Sequence, residues 1–168
     1  ESMRKDVTSH VPSIIFLDTL SNTPRVTRTP VMSLMKHLIS TVNTETYLVV
    51  DNTCLATQFQ PFKLFFAKHT KLRLIVFESL NKYHQYGFDR TTGGMFWSFG
   101  GDTGKLFDYR VHLGTNIPDS SVASLPRPNR ALLTSKLHRH GRNAGMLAQR
   151  MQEYIANHPN SAVEKIIY

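Results

Sequence analysis

A single cysteine, Cys54, stands in the 168 residues. Without a second thiol no internal disulfide framework can form, and a cysteine-based zinc site is excluded. Such usage fits a reducing, cytoplasmic setting. Long apolar runs are missing too: the longest, Ile14 to Leu17 and Leu64 to Ala67, fall far below the roughly 18 to 20 residues that cross a bilayer. No basic-then-apolar signal region opens the chain, so a soluble protein with no membrane partner is expected. Internal repeats and low-complexity segments are absent as well.

Acidic residues are few, 12 against 20 Lys and Arg, for a formal charge of +8. That excess would suit an anionic partner, whether nucleic acid, a membrane surface or a phosphorylated ligand. The densest basic stretch, Lys136, Arg139 and Arg142 with His138 and His140, carries no interleaved aromatics and fits no nucleic-acid module. It reads as a solvated helix face, and no nucleic-acid partner is expected. With 40% hydrophobic residues, the chain is long enough for one domain over 1–168 and too short for two ordinary ones.

Three apolar segments read as buried strands: Ser13 to Leu17, Tyr47 to Val50 and Leu72 to Phe77, each rich in Ile, Val, Leu or aromatic residues. Between the first two, Pro30 to about Val42 reads as a helix. Thr29 serves as N-cap, Pro30 suits the first helical position, and Val31, Leu34, Met35, Leu38, Ile39 and Val42 form one apolar stripe. A second helix begins near Pro61 and takes in Phe62, Leu64, Phe65 and Phe66. The order is βαβαβ, which implies parallel pairing with right-handed crossovers and an α/β layered fold.

Further along, Met95 to Phe99 follows Gly93 and Gly94 and reads as a returning, antiparallel strand. Asp102 can cap a helix reaching about Leu113, and a long helix follows the proline-rich stretch 125–129 and runs to about Asn157. Val163 to Tyr168 reads as a terminal strand. Together these features suggest a piece of a larger fold.

In open α/β sheets ligands gather at the carboxyl ends of the strands. There the first strand is followed by Asp18, Ser21 and Asn22, the second by Asp51, Asn52 and Thr53, and the third by Glu78, Ser79, Asn81 and Lys82. A ligand that wants a carboxylate, an amide, a hydroxyl and an amine together is pyridoxal 5′-phosphate (PLP). Its aldehyde forms a Schiff base with a lysine, its pyridine nitrogen works as an electron sink when protonated, and its phosphate wants hydroxyl and amide donors. Lys82 supplies the amine, Asp51 pairs with the pyridinium, Ser79 donates to the phosphate and Asn22 reaches the phenolic oxygen.

The runs IFLDTLSNTPRV from Ile15, YLVVDNT from Tyr47 and ESLNKY from Glu78 resemble, in this order and at similar spacing, segments of the PLP-dependent sulfur amino-acid enzymes, the cystathionine synthases and lyases. The stretch KLHRHGRNAGMLAQRMQEYIANHPNSAVEKIIY is similar to that family's helix ending the large domain and the strand after it. The resemblance therefore spans most of the chain, from Ser13 to Tyr168. It implies the large domain of a fold-type-I PLP transferase, aspartate aminotransferase-like and incomplete. Lys82 matches the Schiff-base lysine, Asp51 the pyridinium partner, Ser79 the first phosphate-binding hydroxyl and Asn22 the cofactor-contacting asparagine. Asn81 stands where the family has threonine, and its amide would be a substitute phosphate contact. Thr23 interrupts the family's Ser-Asn-Pro pattern, and HQYGFDRTTGG after the lysine departs from the usual glycine- and histidine-rich form.

Family members are longer. Upstream they add backbone phosphate contacts and a stacking aromatic, and downstream a small domain with a carboxylate-binding arginine. The resemblance implies a small amino-acid substrate, elimination or replacement at the γ carbon with making or breaking of a C–S bond, and a homo-oligomer, dimer or tetramer, in the full-length protein. Its rival is a truncated or degenerate scaffold of the same fold without catalysis.

Other features carry less. GGDTGK over 100–105 lacks the first glycine and the hydroxyl of a phosphate loop. His138 and His140, two apart on a helix, point away from each other and suit a metal badly. Cys54 reads as a small buried thiol. Met32, Met35 and the aromatics from Phe62 to Phe66 read as core.

Overall fold

The computed structural model describes residues 12–21, 23–63, 71–99 and 104–168. They form an α/β arrangement, a four-stranded, mostly parallel sheet flanked by helices. The strands are β1 (Ile14–Asp18), β2 (Thr46–Asp51), β3 (Leu72–Ser79) and β4 (Gly94–Phe99), in spatial order β1-β2-β3-β4. β1, β2 and β3 run parallel, and β4 returns antiparallel along β3. The register aligns Asp18 with Asp51, and Asp51 with Phe77.

Helix α1 (Val31–Thr41) crosses between β1 and β2 and buries Val31, Leu34, Met35 and Leu38, the stripe read from the sequence. These pack on Leu17, Leu48, Val50, Leu72, Leu74 and Val76, alternate residues of three strands and so one face of the sheet. Phe59, from the β2–β3 connection, joins the same cluster.

The cap of α1 differs from expectation. The boundary falls at Pro30 without a side-chain cap bond, and Thr29 contributes its carbonyl, which accepts from Val31 N–H at 2.8 Å. Proline has no N–H to be satisfied, so the turn closes through backbone alone. The helix read from Pro61 onward is, in its described part, a single 3₁₀ turn, Pro61–Lys63; Leu64, Phe65 and Phe66 lie outside the described residues.

After β4 come α2 (Lys105–His112), the short α3 (Asp119–Ser124), unforeseen in the sequence, and α4 (Arg130–Asn157). Asp102, read as the cap of α2, lies outside the described residues. α4 is capped by Asn129, whose side chain accepts from Leu132 N–H at 2.9 Å. The terminal strand read over Val163 to Tyr168 is corrected: these residues carry no ladder. A strand needs a neighbour to satisfy its N–H and C=O groups. Here the Tyr168 hydroxyl instead donates to the Gly141 carbonyl, and its ring lies against Gly145 on α4. No helix among the described residues is long and apolar enough to cross a membrane.

Candidate functional site

β2 and β3 both end at the carboxyl edge, where Asp51 pairs with Phe77 and Ser79 lies two residues beyond. Asp51 closes β2 and Ser79 closes β3. Both side chains belong to the sheet face opposite α1, by the two-residue period that buries Val50 and Glu78. An open cleft of about 370 Å³ lies there, lined by Asp51, Thr53, Ser79, Gly93, Gly94 and Phe96, among others.

Local hydrogen bonds hold this edge. Asp51 Oδ1 accepts from Thr53 N–H at 2.9 Å, and Thr53 Oγ1 accepts from Ser79 N–H at 2.9 Å, tying the end of β2 to the end of β3. Ser79 Oγ accepts from Asn81 N–H at 3.2 Å, which leaves its own hydroxyl proton to give. The Asn81 side chain is turned toward the start of β4: Oδ1 accepts from Gly93 N–H at 3.2 Å and Nδ2 donates to Thr92 at 3.4 Å. Lys82 is exposed on the turn that follows. Asn22 lies outside the described residues.

Cys54 reports how these charges are grouped. Burial pushes its thiol pKa above the ordinary value, the Asp18 and Asp51 carboxylates add to the rise, and Lys82 acts against them. Two carboxylates and the lysine amine thus act on one sulfur. Lys82 and Asp51 do not pair directly: the ion pairs among the described residues are Arg73–Glu45 and His84–Glu78.

In the second pair Glu78 is a strand-end residue to which the sequence reading gave no role, and His84 was not singled out at all. Glu78 is 7% exposed, on the core face of β3. Its Oε1 accepts from Asn52 Nδ2 at 2.7 Å, and its Oε2 lies 2.6 Å from His84 Nε2. Asn52, also buried, donates further to the carbonyls of Ala56 and Phe59. Gln85 is fully buried and closes the base of the Lys82 turn: Nε2 donates to the carbonyls of Leu80 and Thr91, and Oε1 accepts from Thr91 N–H. A signal for Glu78 was present, since carrying the Leu72, Leu74, Val76 period one step further puts it on the core side. For Gln85 and Thr91 there was none.

On the core side a second cleft, of about 290 Å³, is lined by Asn52, Glu78, His84, Trp97 and Arg130, among others. Groups of three or more metal-ligating side chains do not occur among the described residues. No family model, no curated protein and no solved structure matches this chain.

Proposed function

We propose that this chain is the cofactor-holding part of a PLP-dependent lyase or transferase acting on sulfur-containing amino acids, with Lys82 as the cofactor lysine. The fold that goes with this reading is the large domain of a fold-type-I PLP transferase. The observation that supports it is the carboxyl edge of β2 and β3, where Asp51 and Ser79 line an open cleft and Lys82 follows three residues after the end of β3.

The donor set fits the group. A carboxylate suits a pyridinium, an amine suits an aldehyde, and Ser79 retains a hydroxyl proton for a phosphate oxygen. When bound, PLP supplies an electron sink for charge developing at the substrate α carbon. Asp51 would hold the proton on the ring nitrogen. Lys82 Nζ, once released by the incoming amino group, would carry protons at the α and γ carbons, as a positioned base and acid. C–S bond making or breaking at the γ carbon is the implied reaction, and a homo-oligomer in a cytoplasmic setting is the implied context.

A second reading, a scaffold of this fold without catalysis, is favoured by one observation. Asn81, the substitute phosphate contact, spends its amide on the start of β4. The two readings separate in one experiment: mix the chain with PLP, reduce with borohydride and map the labelled peptide. Label on Lys82 is expected; label on no lysine establishes the scaffold.

A further inference from the structure

A buried carboxylate is costly unless its oxygens are paired, and Glu78 meets that condition with two partners from two different loops. Asn52 directly follows Asp51, and His84 lies two residues beyond Lys82. The β2–β3 ladder ends at the Asp51–Phe77 pair, so it does not by itself set where the Lys82 turn stands relative to Asp51. Two side-chain routes add to the ladder: on the cleft face Thr53 links Asp51 to Ser79 and so to Asn81, and on the core face Asn52 Nδ2, Glu78 and His84 Nε2, at 2.7 and 2.6 Å, reach past the strand end to the far side of the Lys82 turn.

We infer that Asn52, Glu78 and His84 form a strut beneath the candidate site, with Glu78 and His84 as positioning residues that set the spacing between the Asp51 carboxylate and the Lys82 amine. The inference rests on the PLP reading given above. Both ends of the strut are anchored. Asn52 grips its own loop through the Ala56 and Phe59 carbonyls, and Gln85, next to His84, pins the turn to Leu80 and Thr91. Tyr86 completes that turn with a positive φ of 56°, a conformation that persists in a non-glycine residue when surrounding contacts over-determine it, and Gly87 follows at 91°, which glycine adopts freely. Alternation along the strands separates the tasks: Asp51 and Ser79 belong to the face with the open cleft, Asn52 and Glu78 to the core face.

The test compares the full chain with His84→Phe, His84→Asn and His84→Gln. Phenylalanine cannot bond to Glu78, asparagine is too short to reach it, and glutamine keeps a donor of adequate length. Folding is checked by far-UV circular dichroism. PLP is then titrated by the visible absorbance of the lysine-bound form, and borohydride labelling gives the share of label on Lys82. His84→Phe is expected to weaken PLP capture about tenfold and to spread label onto other lysines, with His84→Gln restoring most of both. Should His84→Phe fail to fold, His84→Asn, a polar residue in a turn, is expected to show the same loss. A folded His84→Phe or His84→Asn chain that captures PLP on Lys82 as well as the wild type overturns the strut and leaves the PLP reading intact. Wild-type chain that takes no label on Lys82 overturns both.

Discussion

Cys54 is a built-in probe of the charges at the carboxyl edge. Its thiol is held above its ordinary pKa by burial and by Asp18 and Asp51, against Lys82, so alkylation at neutral pH should be slow and should accelerate only in the alkaline range. Asp51→Asn removes a charge that opposes the thiolate and is expected to speed alkylation at fixed pH; Lys82→Met is expected to slow it. For a partly exposed thiol each change should be about twofold, the size of a solvent-screened interaction of ~0.5 kcal/mol. Equal rates in all three proteins would show that these groups do not share one edge. The linkage has a definite sign. A folded-state pKa raised above the unfolded value means that the contribution is fully present below the ordinary thiol pKa and is lost as pH rises through the folded value. Replacing Cys54 with Ser should therefore flatten the fall in stability on the alkaline side. For the cofactor reading, Asp51→Asn is expected to weaken PLP capture by Lys82 about tenfold or more, since a hydrogen bond to a charged group contributes roughly 1.5–3 kcal/mol.

At the scale of elements, stability should respond where single side chains close a helix or a core. Leu38 in α1 is completely buried against the sheet, and Leu38→Ala is expected to cost about 2–5 kcal/mol. Asn129 caps α4, and Asn129→Ala should cost about 1 kcal/mol. Both are read as shifts of the urea midpoint at unchanged slope. Much of this level was legible beforehand. The 3.6-residue stripe from Val31 to Leu38 and the apolar runs of β1, β2 and β3 are local patterns, and Gly93 and Gly94 before a short apolar run marked β4. Where the reading went astray the reason is nonlocal. Val163 to Tyr168 has strand-like composition, but composition cannot supply a pairing neighbour, and Tyr168 found α4 instead. At Thr29 a hydroxyl residue before proline looked like a cap, yet the backbone closed the turn.

For the whole molecule, the sheet is unequal on its two sides. One face carries α1 and the core; the other presents Phe16 at 71% and Ile14 at 53% exposed, with Phe77 and Phe96 beside them. Parallel sheets ordinarily have both faces covered, and an apolar patch of this kind favours dye binding and self-association. Phe16→Asp is accordingly expected to lower binding of an apolar dye and to reduce concentration-dependent association in sedimentation, with the helical circular dichroism unchanged.

The candidate site divides along the same line. That Asp51 and Ser79 stand at the carboxyl edge was legible because each closes an apolar strand run, and Asn81 and Lys82 follow within three residues of the end of β3. By itself the amino-acid order marked β1 to β4, the buried stripe of α1 and the polar residues at the sheet's carboxyl edge. Tertiary structure alone decided that Glu78 joins Asn52 to His84, that Gln85 closes the Lys82 turn, and that the chain's end lies on α4. These bonds link residues 5 to 27 positions apart with no periodicity between them. Hydrogen-bond partners are chosen by distance and direction in space, and no sequence spacing encodes those until the strands have paired.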